Sequence, residues 1–213
     1  MKTDELVRLL AANVEPLDRA RYVRRFVGAT SLGLLAALAL TRFLLHWNPG
    51  LGSELSEPAF WVRELYCAAL AAIAMRILGR LGRPGARLGL WPAGIVAVIL
   101  GMWTLGALAL LSAPAPARAH LLLGGSFKVC SVLIAGVATP LFIALLWALK
   151  AHAPTQLRSS GAAAGFAAGA LGALVYSLHC PELAPPFIGI WYLLGILIPT
   201  GLGAVIGPRL LRW

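Results

Sequence analysis

Six long apolar stretches divide the chain, at Phe26–Leu45, Phe60–Leu78, Leu90–Leu111, Phe127–Leu149, Gly161–Leu178 and Phe187–Ile206, with short polar connections between them. Each approaches the roughly 20 residues that a helix needs to cross the hydrocarbon core of a bilayer. None alternates apolar and polar positions with a barrel strand's period of two, and in lipid every backbone amide must find a partner within its own segment. The pattern predicts an all-α integral membrane bundle of six transmembrane helices over residues 26–213. A different pattern fills residues 1–25. Leu6, Leu9, Leu10 and Val14 recur at helical spacing, Thr3 is a suitable N-cap, Asp4 and Glu5 fall in the first turn, and Pro16 stops the run. A short amphipathic helix is expected there, with a stripe that either lies on the membrane or docks into a partner's groove. Its acidic start weakens the first option.

Composition agrees with a lipid-embedded chain, since 60% of the 213 residues are apolar and 12% are charged. The net charge of +10 does not mark a nucleic-acid binder, because the basic residues fall between the apolar runs and form no stripe with interleaved aromatics. Their placement sets topology instead. With the N-terminus in the cytoplasm, fourteen of the 18 basic residues lie inside, among them Arg19, Arg21, Arg24, Arg25, Arg76, Arg80, Arg83 and Arg87. Arg42, Arg63, Arg118 and Lys128 remain outside, so the positive-inside rule puts both termini in the cytoplasm. Trp47, Trp61, Trp91, Trp147 and Trp191 fall near expected helix ends, where an amphipathic ring prefers the interface. Gly161, Gly165 and Gly169 form a small-residue stripe for close helix packing in lipid, and Pro140 and Pro199 are expected to kink their spans.

This topology gives the three cysteines one address, toward the outer side. Cys67 lies inside the second span, where a single thiol packs as a small apolar filler. Cys130 sits in the first turn of the fourth span. A cap from Ser126, the helix dipole and nearby Lys128 would favour its thiolate, which makes it the expected reactive thiol. Cys180 lies in the short connection after the fifth span. If the fourth span abuts that connection, the two can pair, bridged or bridgeable. His179 and Glu182 flank Cys180 and could assist a metal such as zinc, although this spacing identifies no metal. Glu64 shares a helix face with Cys67, but its neighbour Arg63 makes interfacial anchoring the expected role of the two. No catalytic triad, carboxylate pair or phosphate-cradling loop occurs, so neither an enzyme nor a cofactor is expected.

The opening MKTDELVRLLA, the HCPE segment His179–Glu182, the run Ile190-Trp191-Tyr192 and the closing GPRLLRW resemble the negative regulator of sigma F (NrsF) family of six-span anti-sigma factors. The likeness covers essentially the whole chain. It implies a multi-pass protein of the bacterial inner membrane that holds an extracytoplasmic-function sigma factor inactive and releases it under stress such as oxidants or heavy metals. It also implies that Cys130 and Cys180 are the outward signalling pair, and it assigns nothing to Cys67. The expected partners are then the sigma factor and the bilayer, without direct contact to nucleic acid. Two other readings differ in class. A thiol/quinone redox enzyme would want a second cysteine pair, commonly spaced CxxC, and a small transporter would want intramembrane charges. The chain has no CxxC, and spans three, five and six carry no charge.

Overall fold

A computed structural model describes residue 5 and residues 19–82, 88–151 and 154–212. The tail positions Thr3, Leu6, Leu9, Leu10 and Val14 lie outside the described residues. Every described element is helical. In chain order they are α1 (Arg19–Leu40), running into a π-helical turn (Thr41–Leu45), α2 (Leu51–Glu54), α3 (Pro58–Leu81), α4 (Trp91–Ser112), α5 (Ala115–Leu123), α6 (Phe127–Lys150) and α7 (Leu157–Tyr176). The last element begins as α8 (Pro185–Phe187), passes through a π-helical turn (Ile188–Tyr192) and continues as α9 (Leu193–Leu210).

Among the described residues five segments are long and apolar enough to cross a membrane: Val23–Leu45, Trp91–Ser112, Ala115–Lys150, Leu157–Tyr176 and Pro185–Leu210. The sixth expected window, Phe60–Leu78, lies in α3. That helix is 24 residues long, about 36 Å at 1.5 Å per residue, but it carries Arg63, Glu64, Arg76 and Arg80, so composition does not qualify it. Large apolar side chains such as Leu65, Leu100, Leu108, Val132, Ile143 and Val205 are exposed along the helix flanks, as suits a surface whose solvent is lipid.

α7 is the centre of the bundle, and its sequence explains why. Glycines and alanines make up most of it, so neighbouring backbones approach closely. A Cβ added at Gly161 would land on the Gly203 carbonyl, and one at Gly165 on that of Pro199. The expected glycine stripe is therefore the seam between α7 and α9. On another side, a Cβ at Gly172 would come 2.7 Å from Ala138 on α6. α1 packs on the opposite half of α6, where Gly33 leaves room for Leu141 and Ala144. By contrast α4 is peripheral, with only Met102 and Gly106 buried.

The connections gather at two ends. The segments after α1, before α6 and after α7 touch one another at what is called here the cysteine end. The start of α1 meets the last turns of α6 at the other, the tail end, where Arg25 stacks on Trp147.

Candidate functional site

The cysteine end is built around the place where α7 stops. Carbonyls at a helix C-terminus lose their intrahelical donors, and a buried end must find others. Here the chain turns back on itself, with the N–H groups of His179 and Cys180 donating to the Tyr176 carbonyl at 2.9 and 3.1 Å. Pro181 then prevents further helix. The exposed carbonyls of the turn are met from two other segments. The backbone N–H of Asn48 donates to Leu178 at 3.0 Å. Arg63 reaches across from α3 and donates to the carbonyls of Cys180 (2.7 Å), Glu182 (3.0 Å) and Ser177 (3.0 Å).

Arg63 is 0% exposed. Its charge is balanced by Glu64 (Nε to Oε1, 3.3 Å) and by Glu54 of α2 (3.7 Å). A guanidinium at a helix C-terminus is also favoured by the dipole. For Arg63 the expected anchoring at the interface is corrected by this burial, whereas Glu64 beside it stays partly exposed. Arg63 serves the interior because three orphan carbonyls lie within reach of one planar fork.

Cys130 occupies the first turn of α6, its N–H donating to the Ser126 carbonyl at 2.9 Å. Its thiol and that of Cys180, fifty positions apart, come within hydrogen-bonding reach, and both residues are buried. The hydroxyls of Tyr176 and Tyr192 lie near the same sulfurs, and that of Tyr192 makes no hydrogen bond among the described residues. Ser126 does not cap α6. Its backbone is at φ −114°, ψ 8°, outside the extended conformation from which a cap is made, and its hydroxyl instead lies 3.9 Å from the Cys180 sulfur. The donors converge on Cys180. Its thiol is pulled down to about 6, first by the Cys130 thiol, then by the Glu182 backbone N–H, with the Ser126 hydroxyl adding to them, all against the effect of burial. Lys128, expected to support a Cys130 thiolate, is exposed and sits over its own neighbour Phe127.

A second strap runs between the two cysteine-bearing segments. The Glu182 carboxylate accepts from the Gly125 N–H at 2.6 Å. Gly124 has φ +53°, and a Cβ there would come 2.6 Å from that carboxylate, so the turn before α6 needs glycine on both counts. Trp191 adds a third strap by donating to the Leu122 carbonyl of α5 at 2.9 Å. His179 is engaged with the His46 carbonyl at 2.8 Å. Among the described residues no group of three His, Cys, Asp or Glu is placed to hold a metal ion, so His179 and Glu182 do not join the thiols as a ligand set. Cys67 is fully buried beside Glu64, separate from the pair.

The sequence profile of the family described as "Negative regulator of sigma F" matches residues 10–213. The chain belongs to that family. It is 42% identical to the "Probable anti-sigma-F factor NrsF" of Azospira oryzae and 36% identical to the "Anti-sigma-F factor NrsF" of Caulobacter vibrioides, with the full length of each chain covered. No solved structure matches it. Two of the features that resemble the NrsF family in sequence fall together in space: the HCPE segment is the turn held by Arg63, and the aromatic run beside it supplies Trp191 and Tyr192. Sequence reasoning missed Arg63 as a member of this site. The available signal was its place one turn inside a helix, where an unpaired charge is costly.

Proposed function

We propose that the chain is a membrane-bound anti-sigma factor with six spans and cytoplasmic termini, and that its cysteine end is the sensor. The reading is supported by family membership, by relatives whose names describe regulators and not enzymes, and by the 14-to-4 division of basic residues between the two sides. The observation that carries the sensor is the meeting of Cys130 and Cys180 at the end opposite the tail. In this reading the amphipathic segment with Leu6, Leu9, Leu10 and Val14 holds an extracytoplasmic-function sigma factor at the inner membrane. A factor so tethered cannot engage RNA polymerase core.

Two inputs fit a buried dithiol. Hydrogen peroxide can take two electrons from the thiols, forming the S–S bond and, with the two thiol protons, two water molecules. A thiophilic divalent cation can displace both protons and bind two thiolates. A disulfide places its sulfurs about 2 Å apart, well inside hydrogen-bonding distance, so closure must draw the first turn of α6 toward the connection after α7. Moving a two-state equilibrium from 1:99 to 99:1 takes about 5.5 kcal/mol, which covalent closure or thiolate coordination can supply.

Replacing Leu6 and Leu10 with Asp removes two apolar contacts of roughly 1.5–3 kcal/mol each. In co-purification from membranes the double variant loses the sigma factor, and the regulon is active without stress. Retention of the sigma factor by this variant, present at wild-type level, would overturn the assignment of the tail and point to the basic connection between α3 and α4.

A further inference from the structure

We propose that Arg63 is the positioning residue of the thiol pair, holding Cys180 in register with Cys130. The inference rests on the reading of that pair as the sensor, but the geometry that carries it is independent of what the pair detects. Cys180 belongs to no regular element, so no helical ladder fixes its backbone. Two bonds do so instead. Its N–H is held by the Tyr176 carbonyl at 3.1 Å and its carbonyl by Arg63 Nη1 at 2.7 Å. With both backbone groups pinned, the sulfur is left with the rotation about χ1, and its approach to Cys130 becomes a choice among three staggered wells.

Arg63 is suited to this in a way lysine is not. Its Nη1 bridges the Cys180 and Glu182 carbonyls, which lie on either side of Pro181, while Nη2 takes the Ser177 carbonyl three residues before Cys180. The guanidinium therefore spans the whole turn from one rigid plane, whereas an ammonium offers a point charge on a flexible stem. Glu64 and Glu54 fix the plane from the other edge. α3 is the support, and it contributes neither cysteine of the pair.

The experiment uses the full chain in native membranes, in a Cys67→Ser background so that only the pair can bridge. After reduction, diamide is added. It takes two electrons and two protons from the thiols, becomes a hydrazine, and leaves a Cys130–Cys180 disulfide, which is followed by the loss of alkylatable thiol per chain. Arg63→Gln bridges at least tenfold more slowly than the parent, and Arg63→Lys falls between them. Arg42→Gln, another arginine expected on the same side, bridges at the parent rate. Sigma-factor retention in unstressed cells is unchanged in all three. A change of less than threefold in Arg63→Gln overturns the proposal. So does the absence of both Arg63 variants from the membrane, which would make the residue a folding determinant. If instead Cys130→Ser and Cys180→Ser still respond to stress, the sensor reading fails, while the bridging rates continue to judge Arg63.

Discussion

The two ends of the bundle are held by different means. At the cysteine end, segments from four parts of the chain are tied by directional bonds: Asn48 to Leu178, Arg63 to three carbonyls, Glu182 to Gly125 and Trp191 to Leu122. At the tail end the described contacts include a stacked cation, Arg25 over Trp147 at 3.9 Å with one long hydrogen bond to the Trp147 carbonyl at 3.3 Å, and Arg80 over Trp91 at 5.9 Å. Hydrogen bonds fix angles as well as distances, whereas a cation over a ring tolerates sliding. A site that must register a change of an ångström or so between two sulfurs needs the first kind of support. A surface that binds and releases a partner is served by the second.

The largest way to break this contrast is at the sulfurs themselves. Cys130→Ser and Cys180→Ser each remove the covalent or coordinative input, so regulon induction by oxidant or thiophilic metal falls to the unstressed level while sigma-factor retention persists. Cys67→Ser keeps most of the induction. A reporter of the regulon, measured across a dose series, checks all three variants, and a full response in Cys180→Ser would dissolve the special status of this end.

How much of this was legible beforehand differs between the ends for a physical reason. Helix positions follow from apolar length, which is a local property, and the observed helices cover the expected windows except at Leu90, before α4, and at Ser177 and Leu178, after α7. α5 was hidden in an expected loop, although Pro116 at its start is a helix-initiating signal. The meeting of Cys130 and Cys180 could be expected only conditionally, since it depends on α6 lying against the turn after α7. The bonds of Arg63 go to main-chain carbonyls, and a carbonyl has no residue identity for a sequence pattern to reveal. Ser126 is the converse case. Its type and position suit a cap, but the backbone of the Gly124–Gly125 turn delivers it at angles that send the hydroxyl to Cys180.

A smaller effect sharpens the assignment of Cys180 as the thiolate of the pair. With its thiol lowered to about 6, the rate of alkylation by a small uncharged reagent rises about tenfold per pH unit below 6 and levels off above it. An ordinary thiol would keep gaining rate toward pH 9. The same shift links to stability: between about 6 and 9 the unfolded chain binds a proton that the folded chain does not, so this contribution grows with pH through that window, is complete above it and vanishes below 6. Cys130→Ala removes the leading donor and moves the break in the rate profile toward higher pH. Cys130→Ser, which keeps a hydroxyl donor, moves it less. Mass spectrometry of the alkylated peptides separates the sites, and a break unchanged in Cys130→Ala would take the thiol–thiol bond out of the explanation.

The smallest expected effect lies at the tail end. α6 carries Cys130 at one end and Trp147 at the other, seventeen residues and about 25 Å apart, so it is one body common to both regions. α1 lies against its second half, closely enough that a Cβ at Gly33 would be 3.0 Å from the Leu141 backbone. The start of α1 is then held by Arg25, which stacks on the Trp147 ring and donates to its carbonyl at 3.3 Å. An exposed cation–π contact is worth about 0.5–1 kcal/mol, and Trp147 is 58% exposed. Trp147→Ala should therefore change sigma-factor retention by about two- to fivefold, through the orientation of the segment that precedes α1. Because the bonds at the cysteine end are independent of that ring, the alkylation rate of Cys180 should stay at its parent value in the same membranes. A Cys180 rate that moved with Trp147→Ala would mean that α6 transmits in both directions, as thermodynamic coupling requires once the two ends share a single two-state element.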